Sequence, residues 1–298
     1  MEDLVSIIIT THKRTPDILK RAIDSVYAQT YRNFEIFVVD DAPEFNEHKD
    51  IVNLVKSYDS KLNYIINDRF PGACASRNDG IKASKGRFIA LLDDDDEWLP
   101  NKLEIMIPKF TDNVGLVYAN WNIVNINSNK KYIFNRKIYS ENIVDNLFLV
   151  GNFIGGCSVP IMTRESIFSV GLFDENFKSA QDYDVWIRIA KKYSVVHVDE
   201  TVVNYYISDV AISASPKRQV LSSKMMLDKY AEDYLRLPNA KRTMASSIIY
   251  YSVVMCDFKG ARLAYNQYSD VITYGRYVKL FLKGVIKYFF LTTNLHNR

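Results

Sequence analysis

The sequence predicts an α/β domain built on a doubly wound, mostly parallel sheet flanked by helices. Three observations predict it. Short apolar, β-branched runs alternate with stretches of helical spacing through the first 110 residues. Each run is short enough for a buried strand and too short to span a membrane. Polar residues follow three of the runs: Thr10, Thr11 and His12; then Asp40 and Asp41; then Asp93 to Asp96. In such a sheet those strand ends share one edge, and the crevice there binds ligands.

Val5 to Thr10 is a continuous apolar run, the pattern of a strand buried on both faces. A polar turn, Thr11 to Thr15, follows. Pro16 stands where a helix would start, and Ile18, Leu19, Ala22, Ile23, Val26 and Tyr27 recur at helical spacing. Phe34 to Val39 is a second strand, and helical spacing returns at Ile51, Leu54 and Val55. Leu62 to Ile66 is a third strand. Pro71-Gly72 opens a turn, and Ala73 to Ser84 is a helix stopping at Gly86. Phe88 to Leu92 is the fourth strand, with a helix expected from about Pro100 to Phe110. Further on, Val114 to Trp121, Lys131 to Phe134 and Ser158 to Met162 read as strands, with an Asn-rich polar turn over 122–130. An amphipathic helix opens at Gln181, and the chain from about Pro216 onward is helical in pattern. The expected division is a domain over 1–215, with halves of about 1–100 and 101–215, and a helical region over 216–298.

The chain has 298 residues, 48% hydrophobic and 24% charged, an ordinary globular composition. A formal net charge of +3 is too small to argue for nucleic acid. Cys74, Cys157 and Cys256 are far apart and match no metal or disulfide spacing, so reduced thiols and a cytoplasmic location are expected. Acidic residues precede the first apolar run, against a secretory leader. No apolar stretch reaches the roughly 20 residues that a spanning helix needs. A GxGxxG fingerprint and a P-loop are both missing, so a nucleotide in the crevice needs another means of binding.

Asp93 to Asp96 offers one. Four adjacent carboxylates repel each other unless something positive sits among them. Asp oxygens are hard ligands suited to Mg²⁺ or Mn²⁺, whose sites commonly hold substrate phosphates as well. A solvated acidic turn capping the next helix is the plainer alternative.

The order and spacing of several segments resemble the family 2 glycosyltransferases. They are SIIITTHKR (6–14), QTYRNFEI (29–36), VVDDAP (38–43), GACASRNDGI (72–81), GRFIALLDDDDEWLP (86–100), GGCSVPIMTRESIFSVGLFDENF (155–177) and QDYDVWIRIA (181–190). The resemblance covers about residues 4 to 206. It implies a GT-A fold and an inverting, metal-dependent transfer of sugar from a nucleotide sugar, most simply a UDP-sugar. It further implies that Thr10 and His12 line the nucleotide pocket and that Asp41 accepts a hydrogen bond from uracil. Arg77 and Asn78 would lie in the segment facing the nucleotide. Asp95 would bind Mn²⁺ or Mg²⁺, with Asp93 reaching the ribose or the metal's water shell.

Several of these residues carry a second reading. Asp40 and Asp41 also suit a strand-ending turn, Asn78 a local cap, Asp96 the cap of the helix near Pro100, and Trp98 core packing. Asp94 has no assigned role. Gly155-Gly156 suits either close approach to a sugar or a plain turn.

Asp182, in the first turn of its helix, is the base implied by the resemblance, although Gln181 stands where relatives carry Glu. Asp184 is the competing carboxylate, but helical geometry turns it about 200° away from Asp182. Relatives often carry Arg and His near the diphosphate where this chain has Tyr206 and Ser208; Lys217 and Arg218 lie just beyond. In the last segment, 271–298, Lys279, Lys283 and Lys287 line one helix face with no Asp or Glu present. Phe281, Leu282, Val285, Ile286, Phe289 and Phe290 fill the rest. With acidic residues absent, that pattern favours a helix lying on an anionic inner-membrane surface over one docked on the domain or on a second subunit.

The expected reaction is transfer to a hydroxyl of a glycan, with a lipid-linked glycan of bacterial surface polysaccharide synthesis as acceptor. The protein would be peripheral on the inner face of the cell membrane, and a homo-oligomer is open. A sugar nucleotidyltransferase and a non-catalytic glycan-binding protein are the alternatives.

Overall fold

The computed structural model describes residues 3–42, 44, 48–67, 72–128, 130–135, 142–207 and 215–296. Expectations resting on Pro43, Pro71, Ser208, the Phe290 side chain and Arg298 lie outside the described residues. The chain divides into two compact units. One comprises 1–144, 152–176 and 181–209; the other comprises 145–151, 177–180 and 210–298.

The first unit opens with β1 (Val5–Thr11), α1 (Pro16–Tyr27), β2 (Phe34–Asp40), α2 (His48–Lys56), β3 (Leu62–Ile66), α3 (Ala73–Ala83) and β4 (Phe88–Asp93). β1, β2 and β4 are buried almost throughout, which is why their sequences run apolar without alternation. β3, at the edge, is only partly covered. Pro16 sits in the first turn of α1, whose buried stripe is Leu19, Ala22, Ile23 and Val26. α3 lacks an amphipathic stripe because it is buried nearly all round. Gly80 permits this: a Cβ there would lie 2.5 Å from Ile8 Cγ2 and 3.1 Å from Val39 Cγ2.

Next come β5 (Glu97–Trp98), α4 (Lys102–Met106) with a 3₁₀ turn at Ile107–Lys109, β6 (Val114–Asn125), β7 (Lys131–Phe134) and α5 (Ile143–Val150). Then follow β8 (Ile161–Thr163), α6 (Arg164–Ser169), α7 (Gln181–Ala190) and β9 (Ser194–Ile207). The strand order is β3-β2-β1-β4-β8-β6-β9-β5, with β7 paired to β6. The sheet is parallel across β3-β2-β1-β4 and mixed beyond. β8 runs antiparallel to both β4 and β6. β9 returns parallel to β6, a pairing that needs a long crossover, and the segment holding α7 supplies it. The strand order reverses at β1, which has β2 on one side and β4 on the other. There Thr11 pairs with Asp40 and Thr10 with Asp93, so the three polar tips stand side by side.

The second unit contains most of α5, from Asp145 on, with α8 (Pro216–Lys229), α9 (Ala231–Arg236), α10 (Pro238–Val254), α11 (Phe258–Gln267) and α12 (Tyr274–His296). Its core gathers Met226, Leu227, Tyr234, Ile248, Ile249, Val253 and Ala261, with Phe148 edge-on to Tyr230 and Tyr234.

Candidate active site

The tip of β2 separates into two roles. Asp40 is buried and already satisfied: Tyr64 Oη–H donates at 2.7 Å, the Ala42 N–H at 2.9 Å, and His48 Nδ1 lies at 3.1 Å. It ties the middle of β3 and the start of α2 to β2, the turn-building alternative. Asp41 faces the other way. His12 Nδ1, from the turn after β1, lies 2.6 Å from its Oδ1, and the Gly72 N–H at the mouth of α3 donates to Oδ2 at 2.9 Å. The carboxylate is held between two segments of the edge while the His12 side chain stays half exposed.

The four aspartates divide among three partners, Asp94 and Asp95 sharing Arg14. Arg77, buried in α3, donates Nη2–H to Asp93 Oδ1 at 2.8 Å. Arg14 donates Nε–H to Asp94 Oδ1 at 2.9 Å and Nη2–H to Asp95 Oδ2. Arg21 of α1 donates to the Asp95 carbonyl at 2.5 Å and lies 4.0 Å above the Tyr206 ring, whose hydroxyl donates to Glu97 at 2.9 Å. Asp96 is fully buried; it accepts the Ser158 hydroxyl at 2.5 Å and the Tyr206 N–H at 3.3 Å. The positive charge that the cluster requires is therefore supplied within the chain, by arginines 14 and 77. Burial pushes the Asp94 carboxyl up to about 6 despite Arg14, and pushes Asp95 up against the same guanidinium.

Asp96 is not a helix cap. The residue before α4 is Asn101, and its side chain makes no capping bond. Asp96 belongs instead to a buried network around Ser158. Lys102, also fully buried, donates to Ser158 O at 2.6 Å and Val159 O at 2.7 Å. Trp98 Nε1–H donates to the same Ser158 carbonyl at 3.0 Å, so Trp98 is core. Ser158 Oγ in turn accepts the Asp93 N–H at 3.0 Å, which fixes the strand tip. Asn78 is structural too: its side chain brackets Phe173, donating to the carbonyl and accepting the N–H, both at 2.9 Å.

On α7, Asp182 is partly exposed and Asp184 is fully buried in an ion pair with Arg188, 2.7 Å away. The two carboxylates thus diverge as helical geometry requires. Asp182 Oδ2 accepts from Asn152 Nδ2 at 3.1 Å. Burial raises its affinity for a proton; the Tyr183 N–H and Arg77 oppose this, and Asp93 adds to it. Arg77 also donates to Gln181 Oε1 at 3.4 Å. One guanidinium therefore joins the tip of β4 to the start of α7, next to Asp182.

Of the expected site residues, Thr10 pairs with Asp93 in the β1–β4 ladder, Arg77 bonds Asp93, the charges of Arg77 and Asp93 both act on Asp182, and His12 joins Asp41 at the neighbouring strand tip. Asp95 stands beside Asp94 on Arg14. Lys217 and Arg218 belong to the second unit. Sequence reasoning missed Arg14, Arg21, Lys102, Asn152 and Ser158. Only the unbalanced charge of the aspartate run hinted at the arginines.

The sequence profile described as Glycosyl transferase family 2 matches residues 6–168. The chain belongs to that family. Among family 2 relatives, Escherichia coli WfgD, a UDP-Glc:alpha-D-GlcNAc-diphosphoundecaprenol beta-1,3-glucosyltransferase, is 30% identical over 240 residues, 79% of this chain and 90% of WfgD. WcaA of E. coli K12, assigned to colanic acid biosynthesis as a glycosyl transferase, is 32% identical over 72% of this chain and 77% of its own length. The mannosyltransferase PcManGT from Pyrobaculum calidifontis, solved with GDP-Man and Mn²⁺, superposes with a TM-score of 0.57 at 15% identity, covering 97% of this chain and 88% of its own. That likeness supports the GT-A fold. The protein is a glycosyltransferase.

The family 2 site can be tested against a divalent cation by its donor set. Among the described residues no three His, Cys, Asp or Glu side chains gather as a ready-made cluster. Asp93 and Asp95 alternate along the chain at the sheet edge, and both remain partly exposed, at 29% and 40% of their side chains. Two hard carboxylates with room beside them fit an ion that completes its shell with water and phosphate oxygens. Arg14, at 35% exposure, would have to yield Asp95 to it.

Proposed function

We propose that the protein is an inverting transferase that moves a sugar from a UDP-sugar to a hydroxyl of a lipid-diphosphate-linked glycan. The observation that carries the reading is Arg77, which joins the Asp93 strand tip to the first turn of α7, where Asp182 stands. The strand tip that would meet the donor and the candidate base are thereby tied to one guanidinium.

Thr10, His12 and Asp41 would line the nucleotide end, with Asp41 accepting the imide N–H of uracil. Asp95 and Asp93 would hold Mn²⁺ or Mg²⁺, which when bound supplies positive charge against the diphosphate leaving group. Asp182 removes the proton from the acceptor hydroxyl as that oxygen attacks the anomeric carbon opposite the diphosphate. In-line attack inverts the configuration, as in inverting glycoside hydrolysis with the acceptor in place of water. In this reading 1–100 serves the nucleotide and 101–215 the acceptor. The UDP and lipid-linked acceptor assignments are supported by the similarity to WfgD; use of a divalent ion is supported by the Mn²⁺ complex of PcManGT.

The C-terminal helix supports a membrane-borne acceptor. No helix among the described residues is long and apolar enough to cross a membrane. α12 instead exposes Leu282, Ile286 and Phe289 beside Lys279, Lys283 and Lys287, a face suited to the anionic cytoplasmic leaflet. The test of the whole reading is a screen of UDP-sugars with lipid-diphosphate-linked acceptors, following UDP release. Release that rises with acceptor and divalent ion is expected. Pyrophosphate release from a nucleoside triphosphate and a sugar phosphate would contradict it.

A further inference from the structure

We propose that Asn152 is the positioning residue for Asp182, fastening its carboxylate to the turn at 152–155 on which α7 is seated. The proposal rests on Asp182 acting as the base.

The amide of Asn152 is used completely. Its Oδ1 accepts the Gly155 N–H at 3.2 Å, and its Nδ2 donates to Gly155 O and to Asp182 Oδ2, both at 3.1 Å. A primary amide offers two N–H donors and one carbonyl, and here each has a partner. Rotating the amide by half a turn would set its carbonyl against the Gly155 carbonyl and the Asp182 carboxylate. The side chain therefore has one orientation.

A second bond runs between the same turn and the same helix. Trp186, one helical turn beyond Asp182, donates Nε1–H to Gly155 O at 3.0 Å. α7 is thus held to the turn at two points, and the carboxylate is one of them. The turn is stiff. Gly155 has φ +101°, and a Cβ there would meet Val159 Cγ2 at 3.0 Å and Trp121 Cζ3 at 3.1 Å. A base must be held within hydrogen-bonding reach of the proton that it takes, and small displacements cost rate steeply.

The bond has an electrostatic side. A donor on a carboxylate favours the ionised form, which is the form that a base needs. The other charged or titratable groups around Asp182 are Arg77 of α3, Asp93 of β4, Cys157 beside the turn and Tyr205 of β9. None of them is altered by a change at Asn152, so a change there isolates the amide.

Asn152→Ser keeps a short polar side chain able to accept the Gly155 N–H, but withdraws the donor from Asp182. The acidic limb of kcat/KM should move up by about one pH unit, the value of one hydrogen bond to a charged group. Maximal kcat should fall about tenfold through lost orientation, with the donor KM and UDP affinity little changed. In the unsubstituted protein, a side-chain amide proton of Asn152 should shift in the ¹⁵N NMR spectrum with a midpoint at the same limb; this readout needs no variant to fold. A kcat and pH profile for Asn152→Ser that superpose on the parent, or an Asn152 amide indifferent to pH, would overturn the proposal. Asp182→Asn is run alongside. If it is inactive while Asn152→Ser matches the parent, only this proposal falls. If it retains turnover, the base assignment falls and this proposal with it.

Discussion

Replacing Lys102 by Met should destabilise the first unit by about 3 kcal/mol. The ammonium is fully buried and supplies two bonds, to Ser158 O and Val159 O. Hydrogen bonds involving a charged group contribute about 1.5–3 kcal/mol each. Ser158 O would keep its bond from Trp98, and Met would preserve most of the stem's packing, so the lower part of the summed range applies. Asp96 is affected as well. It would keep the Ser158 hydroxyl and the Tyr206 N–H but would have no opposite charge across Ser158. Burial pushes the Lys102 ammonium well below its ordinary range, opposed by the Asp96 charge, and pushes Asp96 well above its own. Asp96→Asn alone should therefore also destabilise, and the double variant should be less unstable than the sum by about 1–2 kcal/mol. Urea denaturation followed by tryptophan fluorescence and circular dichroism measures this; coincidence of the two probes checks that a single transition is being read. A Lys102→Met variant within about 0.5 kcal/mol of the parent, as surface changes usually are, or strict additivity in the double variant, would refute the reasoning.

Three further outcomes follow from the site and the tail. Asp95→Asn should abolish the Mn²⁺-dependent part of UDP binding in titration calorimetry while leaving metal-free UDP binding; an unchanged titration would remove Asp95 from the metal site. Because burial raises the proton affinity of Asp182, and a base must be deprotonated, kcat should fall with decreasing pH along a limb lying above the ordinary carboxylate value of about 3.9; a limb at or below that value contradicts the assignment. Neutralising Lys279, Lys283 and Lys287 to Gln should weaken binding to vesicles containing anionic lipid by about 3 kcal/mol, near a hundredfold, at about 1 kcal/mol per lysine; equal sedimentation of parent and variant would show that this face is not the anchor.

What was legible in the sequence follows from where its physical signals are local. β1, β2 and β4 announce themselves because strands buried on both faces must be apolar throughout, and their polar tips mark the ligand edge. Pro16 and Gln181 mark helix starts to the residue. β9 was not legible: His197, Asp199 and Glu200 interrupt its apolar pattern, and its pairing to β6 carries register shifts near Ala119 and Asn120. β5 is two residues long and exists through its pairing with β9. The Asp96 cap failed for a related reason. The spacing to the next helix suits a cap, but the hydroxyl that binds Asp96 lies 62 residues away. Asn152 and Arg77 act across 30 and 104 residues, distances at which no local pattern shows the partner.

Acceptor-dependent sugar transfer by Asp182→Asn is the most direct test of the catalytic reading. Turnover should drop by about 10²–10⁴-fold, the usual contribution of a positioned general base. UDP binding should stay near the parent value, because the Arg77–Asp93 and His12–Asp41 contacts are untouched. Near-normal turnover in that variant would contradict the assignment of Asp182 as the base.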